Sequence, residues 1–445
     1  MAAGKALRAR VSHERHGEYE PPVKREDPVA ILEEQAKARL PSLIPIRYAR
    51  MLATPFAFLR GSAAVMAADL SRTPVTGLKV QACGDMHVAN FGVFASAERN
   101  LVFGINDFDE TLPGPWEWDL KRLAASAVVA CRVLGGDRTL CEEAARAAVR
   151  SYRKRMREFA FMGHRDVWYS RIGEQDILAG LSPGARARAE SIMAKAERSG
   201  SVQKLGKMTK IVNGGPRLVE EKPLIVRETH MPDGRPVLEM LASTLDRYLQ
   251  SLPEERRTLL LRYRALDVAR KVVGVGSVGT RCWLLLMRGN GPEDLLFLQY
   301  KEAQRSVLAP YSKTPAWECE GRRVVVGQRL IQGAPDIFLG WGINLEGIHF
   351  YMRQLRDMKG GYDFDPTKVR VRNFPQYCKL CGWALALAHA KSGDPALIAG
   401  YLGKSDRMDE AVTRFAFAYA RQNERDCEAF AKAAKAKRIQ AAETA

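Results

Sequence analysis

Long apolar runs, cysteines and secretion signals are scarce or absent in this chain of 445 residues. No run reaches the roughly 18 apolar residues that a membrane-spanning helix needs, so we expect no membrane partner. The first twenty residues contain no apolar segment typical of a secretory signal. Only 8 cysteines are present, which is too few for a disulfide scaffold. We therefore expect a cytoplasmic protein with reduced thiols.

Positive charge is in excess. Lys and Arg together number 69 and Asp and Glu 51, which gives a formal net charge of +18. This excess favours an anionic partner, such as a nucleotide, a phosphorylated substrate, a nucleic acid or an acidic surface. Nucleic acid is not the favoured partner, because the basic residues are spread along the chain and no zinc finger or RNP sequence is present.

The hydrophobic pattern predicts an α+β fold. Residues 1–28 are polar and basic and contain prolines, which predicts a flexible arm. Helical patterns dominate residues 29–260 and 359–445, and the first of these stretches also holds acidic loops between short strands. Residues 261–358 contain most of the remaining strand patterns, and a further hairpin is predicted around the sequence NGG at 213–215.

Two acidic loops lie close together in the sequence. The first, GDMHVAN, carries Asp85, His87 and Asn90, and the second ends a strand with Asp107 and Asp109. Phosphoryl transfer needs a carboxylate that orients the attacking hydroxyl and oxygen ligands for Mg²⁺. These residue types supply both. In the alternative interpretation the aspartates are turn residues. His87 by itself is more typical of a residue that orients or buttresses the loop than of a catalytic base.

These loops resemble those of a known enzyme family. CGDMHVANFGVF resembles the catalytic loop of aminoglycoside-phosphotransferase-like kinases, H-G-D-x-H-x-x-N, with Cys83 in place of the first histidine. INDFDET resembles the strand end that binds metal in that family. The resemblance implies that Asp85 is the catalytic carboxylate, with His87 beside it, and that Asn90 and Asp107 bind Mg²⁺.

The roles of three neighbouring residues are less fixed. Asp109 rivals Asp107 as the main metal ligand, because sequence does not fix the strand register. WEWDLKRLA resembles the D-L-A helix of the same family, which implies that Asp119 braces the catalytic loop. Arg60, a charge among apolar residues, can bind phosphate or form a salt bridge at a helix end.

A glycine-rich loop forms a second constellation. Gly274, Gly276, Ser277 and Gly279 belong to the sequence GVGSVG, which a dinucleotide-binding fold would follow with a helix. Here an apolar strand follows, ends at a GNGP turn and returns as a second strand carrying Lys301. This order is typical of a kinase glycine loop with its phosphate-binding lysine. The alternative is a glycine-rich hairpin with a solvated lysine.

The sequence does not determine which acidic residue contacts Lys301. Glu302 points the other way on a strand, whereas Glu318 and Glu320 are candidates for the acid that a kinase lysine contacts. Arg353 lies where the hinge between two lobes would fall, and it either faces nucleotide or substrate or is a surface charge on an edge strand.

The order of the motifs differs from that in kinases, because the acidic loops precede the glycine loop. Circular permutation explains this order, since geometry rather than chain order carries the chemistry. The resemblance then implies a permuted, protein-kinase-like two-lobed fold. Its small antiparallel β lobe spans residues 261–358, and its mainly helical large lobe combines residues 29–260 with residues 359–445.

Nearly the whole chain also resembles an uncharacterised bacterial family, domain of unknown function 2252. The matching stretches include TPFAFLRGSAAVMAADL, INDFDETLPGPWEWDLKRLAAS, LFLQYKEAQRSVL and CGWALALAHAKSGD. This resemblance implies family membership, but it does not indicate which activity the protein has.

Our leading hypothesis is therefore a phosphotransferase that uses ATP and Mg²⁺ and acts on an unidentified hydroxyl acceptor. One alternative is a regulatory protein that binds nucleotide or nucleic acid without catalysis. A metallophosphoesterase is a weaker alternative, since the D-x-H sequence at Asp85 is present but the usual G-N-H is absent. Nucleotidyl transfer in the same cleft also stays open.

Overall fold

Helices and antiparallel strands together build the chain, which confirms the prediction of an α+β fold. A computed structural model describes residues 1–179, 181–198, 208–212, 215–227, 230, 234, 236–272, 274–355 and 358–442. The helices described are α1 (Ala2–Ala6), α2 (Pro28–Ala36), α3 (Ile44–Leu52), α4 (Pro55–Gly61), α5 (Ala63–Leu70), α6 (Trp116–Val133), α7 (Arg138–Phe159), α8 (His164–Tyr169), α9 (Glu174–Leu178), α10 (Pro183–Glu197), α11 (Val237–Gln250), α12 (Glu254–Leu260), α13 (Glu320–Ile331), α14 (Phe374–Ser392), α15 (Pro395–Leu402) and α16 (Arg407–Lys435). The strands are β1 (Lys79–Ala82), β2 (Phe91–Ala95), β3 (Leu101–Ile105), β4 (Leu112–Pro115), β5 (Ile172–Gly173), β6 (Thr209–Val212), β7 (Gly215–Leu218), β8 (Ile225–Val226), β9 (Arg264–Lys271), β10 (Cys282–Arg288), β11 (Leu295–Glu302), β12 (Gly340–Ile343) and β13 (His349–Gln354).

The largest sheet has six strands in the order β12-β13-β11-β10-β9-β8, and every neighbouring pair is antiparallel. Helix α11 packs on this sheet through Val237, Leu241 and Tyr248, which are all buried and recur at helical spacing. The predicted boundary after residue 260 placed this helix with the helical part of the chain. An amphipathic pattern shows that a helix covers an apolar surface, but it does not identify that surface.

The helical part has its own core, formed mainly by α6, α7, α14 and α16. Helix α6 is buried on nearly all sides, since these neighbouring helices and β1 surround it. The paired strands β1 and β4 and the small sheet β2-β3-β5 lie against this core. Helix α13 contacts β12, β13 and β1 as well as α14, so it joins the six-stranded sheet to the helical part.

The N-terminal segment packs against the body, which corrects the prediction of a flexible arm over residues 1–28. Helix α1 lies on α15, and the ring of His16 is buried and hydrogen-bonded to Tyr401 at 2.7 Å. Arg25 donates hydrogen bonds to the buried carboxylates of Asp69 and Asp426 at 2.6–2.8 Å. Composition could not indicate this, because the acids that pair with the basic residues come from distant parts of the chain.

Three smaller predictions have mixed outcomes. Strands β6 and β7 form the predicted hairpin, but Asn213 and Gly214 lie outside the described residues. All eight cysteines are free thiols. Among the described helices, none combines the length and apolarity needed to cross a bilayer. Location in the cytoplasm stays a prediction.

Candidate active site

One cleft of about 1010 Å³ brings the acidic loops and the glycine loop together. Most of the predicted site residues line it: Asp85, His87, Asn90, Asp107, Asp109, Gly274, Gly276, Ser277, Lys301 and Arg353. Gly279 does not line the cleft. Its φ of +94° requires glycine, and a Cβ there would lie 3.0 Å from the side chain of Arg39.

The side chain of Asp119 holds the loop after β1 in place. Its buried carboxylate accepts hydrogen bonds from the backbone amides of Cys83 at 2.6 Å and Gly84 at 3.0 Å. His389 Nε2 donates to the same carboxylate at 3.2 Å, and Tyr152 donates to His389 Nδ1 at 2.9 Å. Asp119 therefore occupies the bracing position that the resemblance implied, and His389 belongs to the same buried network.

Asp85 forms an ion pair with Arg122, which the sequence did not indicate. Arg122, on α6, donates through Nε at 2.9 Å and through Nη2 to the same carboxylate oxygen, Oδ1. Burial raises the pKa of Asp85, and the guanidinium groups of Arg122 and Arg60 oppose that rise. The ion pair leaves Oδ2 facing the glycine loop, because a Cβ on Gly276 would lie 3.7 Å from it.

His87 is a buried, neutral neighbour of Asp85. Its Nε2 lies 3.7 Å from Asp85 Oδ2, and no residue that the structure describes forms a hydrogen bond with its buried Nδ1. Burial, followed by the charges of Arg60 and Arg122, lowers the pKa of His87 well below its usual value. These features favour an orienting role over that of a catalytic base.

Asn90 closes the first acidic loop. Its Nδ2 donates to the backbone carbonyl of Asp85 at 2.6 Å, and its own carbonyl accepts from the amide of Asn106 at 2.8 Å. The loop and the end of β3 are thereby tied together. Among the described residues, none donates a hydrogen bond to Asn90 Oδ1, so this oxygen is a suitable metal ligand.

The acid that Lys301 contacts is Asp109, rather than Glu318 or Glu320. Lys301 Nζ forms an ion pair with Asp109 Oδ2 and lies 3.8 Å from Asp107 Oδ1. Burial lowers the pKa of Lys301, but the two carboxylates outweigh burial and raise it. Glu320 instead pairs with Arg323, on its own helix.

The two aspartates at the end of β3 differ in their surroundings. Asp109 also accepts hydrogen bonds from Ser277 Oγ at 3.0 Å and Tyr351 Oη at 2.6 Å. Burial raises the pKa of Asp109, but Lys301, the hydroxyl of Tyr351 and the charge of Arg353 outweigh it and lower the pKa to about 2. Burial and the charge of Asp109 raise the pKa of Asp107. Asp107 therefore has fewer close partners than Asp109, and it is the better placed of the two carboxylates to bind a cation.

Two arginines that hold the loops come from the second half of the chain. Arg323, on α13, donates to the carbonyls of Asp109 at 2.9 Å and Thr111 at 2.6 Å. Arg353, on β13, donates to Gln299 Oε1 at 3.2 Å. Strand β13 lies between β11 and β12, so Arg353 is not on an edge strand. Sequence spacing gave no signal for Arg323.

The glycine loop connects β9 to β10 and is held at its far end. The backbone amide of Leu40 donates to the carbonyl of Gly279 at 2.8 Å. Arg39 Nη1 donates to the carbonyl of Val278 at 2.5 Å. The loop therefore lies between antiparallel strands, as predicted, and residues near α2 fix its position.

A family model described as "Uncharacterized protein conserved in bacteria (DUF2252)" matches residues 39–433. The chain belongs to this family. The DUF2252 match includes both the acidic loops and the glycine loop with Lys301, so nearly all of the cleft lies inside it; Gln35, which also lines the cleft, lies outside. No curated protein and no solved structure matches the chain.

Glu110, also in the cleft wall, provides a test by pH. Burial raises its pKa to about 7, above its usual 4.5. The neutral form therefore stabilises the fold fully below pH 4.5, and this contribution is lost as pH rises through 7. We expect Glu110→Gln to match the wild type in urea unfolding at pH 4 and to be about 1–3 kcal/mol more stable at pH 8. Equal stabilities at pH 8 would show that Glu110 ionises without cost.

Proposed function

We propose that this DUF2252 protein is a phosphotransferase that uses ATP and Mg²⁺ and acts on a hydroxyl acceptor. The observation that carries the proposal is the ion pair between Lys301 and Asp109, two residues 192 positions apart. It places a strand lysine behind the glycine loop and against the acidic strand end. That juxtaposition suits a bound metal–triphosphate.

Several cleft residues have a role in this proposal. Lys301, Arg353 and the backbone of the glycine loop bind the nucleotide phosphates. Asn90 and Asp107 bind Mg²⁺, which in proteins often keeps several waters and takes further ligands from phosphates. When bound, Mg²⁺ would neutralise charge on the phosphate oxygens.

The proposed reaction is a single displacement at the terminal phosphorus. Asp85 orients the acceptor hydroxyl and accepts its proton as the acceptor oxygen bonds to phosphorus. The bond from phosphorus to the bridging oxygen breaks, and ADP leaves with its electron pair. Oδ1 of Asp85 is taken by Arg122, so Oδ2, which faces the glycine loop, would contact the hydroxyl.

The order of elements supports a kinase-like fold with permuted connections. Strands β9 and β10 flank the glycine loop, β11 carries Lys301, and α13, β12 and β13 follow. The C-terminal end of α14 contacts β1, the strand before the loop that carries Asp85, because Ser392 Oγ accepts a hydrogen bond from the amide of Gln81 at 3.1 Å. In kinases the corresponding helix runs directly into the catalytic loop. In a permuted chain that connection would be broken between α14 and β1, and the chain would join these elements through other segments.

A second candidate is a nucleotide-binding regulatory protein without catalysis. The buried ion pair between Arg122 and Asp85 favours it, because the arginine occupies one carboxylate oxygen and opposes the rise in pKa that burial gives Asp85. A dinuclear metallophosphoesterase is less well supported. Within the part of the chain that the structure describes, no group of three or more His, Cys, Asp or Glu side chains could hold a metal.

Thermal unfolding with nucleotide tests the proposal. Millimolar ATP with Mg²⁺ should raise the Tm by about 2 °C or more, since a ligand at 100 times its Kd stabilises by about 2.7 kcal/mol. The shift should shrink without Mg²⁺ and in Asp107→Asn. No shift with any nucleoside triphosphate would contradict both the phosphotransferase and the nucleotide-binding alternative.

A further inference from the structure

Helix α4 brings a cation to the tip of the glycine loop. This helix, which precedes all the motifs discussed above, contacts the turn Val275–Ser277. A Cβ built on Gly274 would lie 3.9 Å from Arg60 Nη2, and one on Gly276 would lie 3.3 Å from the carbonyl oxygen of Arg60. Arg60 therefore lies where the glycine loop approaches Asp85.

Arg60 differs from the other cations around it. Arg122 is paired with Asp85, Lys301 with Asp109, and Arg353 is hydrogen-bonded to Gln299. Across the described residues, Arg60 makes no hydrogen bond and no ion pair, and its Nε is buried without a partner. The helix-end salt bridge that the sequence left open is therefore absent from this part of the structure.

A buried guanidinium donor without an acceptor costs free energy, so its retention in a cleft calls for an acceptor supplied from outside. Burial lowers the pKa of Arg60, and the carboxylates of Asp85 and Asp107 oppose this effect, so both carboxylates act on the guanidinium. A terminal phosphate between these carboxylates, the metal and the glycine loop would present oxygens to Arg60.

We propose that Arg60 binds the terminal phosphate of a nucleoside triphosphate and so distinguishes triphosphate from diphosphate. This inference rests on the proposed function. The guanidinium fork suits phosphate oxygens, and charge spread over the equatorial oxygens of the transferring group is stabilised by a nearby cation. In this proposal Arg60 contacts the terminal phosphate that is transferred and does not contact the β-phosphate.

Calorimetric titration separates this role from general nucleotide binding. Mg²⁺ with ADP and Mg²⁺ with a non-hydrolysable ATP analogue are titrated into the wild type, Arg60→Ala and Arg60→Lys. We expect Arg60→Ala to weaken binding of the analogue by about ten- to one-hundredfold, which is typical of a hydrogen bond to a charged group, and to leave ADP affinity unchanged. Arg60→Lys should restore part of the loss. Arg72→Ala, at an exposed position outside the cleft, removes the same charge and should change neither affinity.

The outcomes distinguish this inference from the function on which it rests. If the wild type binds both nucleotides and Arg60→Ala weakens both equally or neither, the role of Arg60 is overturned and the proposed function stands. If the wild type binds neither nucleotide, the proposed function fails, and the inference fails with it.

Discussion

Replacing Asp85 with Asn should lower kcat by about 10³-fold while Mg²⁺–ATP affinity stays nearly unchanged. The variant keeps an oxygen that can accept from Arg122 but loses the charge that accepts the acceptor's proton. Nucleotide phosphates and metal are held by other residues, so binding should persist. Activity is measured as ADP release, an assay that can be run with water as the acceptor. Affinity is measured by calorimetry.

Stability needs a control in this experiment, because the variant leaves Arg122 buried without a full counter-charge. Breaking a buried ion pair costs about 3–5 kcal/mol when one partner is left uncompensated. Activity is therefore compared below the Tm of the variant. Asp137→Asn, which keeps the N-cap of α7 through its bond to Leu140, should leave activity unchanged. An Asp85→Asn protein with wild-type turnover would show that another group accepts the proton, whereas nucleotide binding without turnover in the wild type would favour the regulatory alternative.

Lys301→Met should lower both nucleotide affinity and stability. Nucleotide affinity should fall by at least about tenfold, because the charge that contacts the phosphates is lost. Asp107 and Asp109 would then lie side by side without their cation, so the free energy of unfolding at pH 7.5 should fall by about 3–5 kcal/mol.

The pH dependence of the same variant gives a second, independent signature. In the wild type the lowered pKa of Asp109 adds stability that is present above pH 3.8 and is lost as pH falls towards 2. Without Lys301, burial should raise that pKa above 3.8, so the variant should regain stability as pH falls from 7.5 to 5. Urea unfolding at the two pH values measures this. Lys313→Met, at an exposed position, should behave like the wild type. A variant with no loss at pH 7.5 would show that the ion pair contributes nothing.

Most of the candidate site residues in the cleft could be predicted from the spacing of residues within short segments. The catalytic-loop residues Asp85 and Asn90 lie within six positions of each other, and the glycine loop is equally compact. Their chemistry depends on residue types that a short segment supplies by itself. For Lys301 the sequence indicated the right strand, because the apolar pattern on both sides of the GNGP turn predicted a hairpin.

Partners from distant segments could not be found in this way. The acid beside Lys301 was sought on the next helix, whereas the fold supplies Asp109 from a loop that precedes it by 192 residues. Arg122 lies on a helix whose pattern shows only that it is buried. The N-terminal segment was predicted to be flexible for the same reason, since Asp69 and Asp426 are remote from Arg25 in sequence.

A crystal structure with Mn²⁺ and a non-hydrolysable ATP analogue tests the central claim most directly. We predict an anomalous peak about 2 Å from side-chain oxygens of Asp107 and Asn90, with the triphosphate between it and Lys301. A metal bound away from both residues, or a triphosphate outside this cleft, would contradict the account.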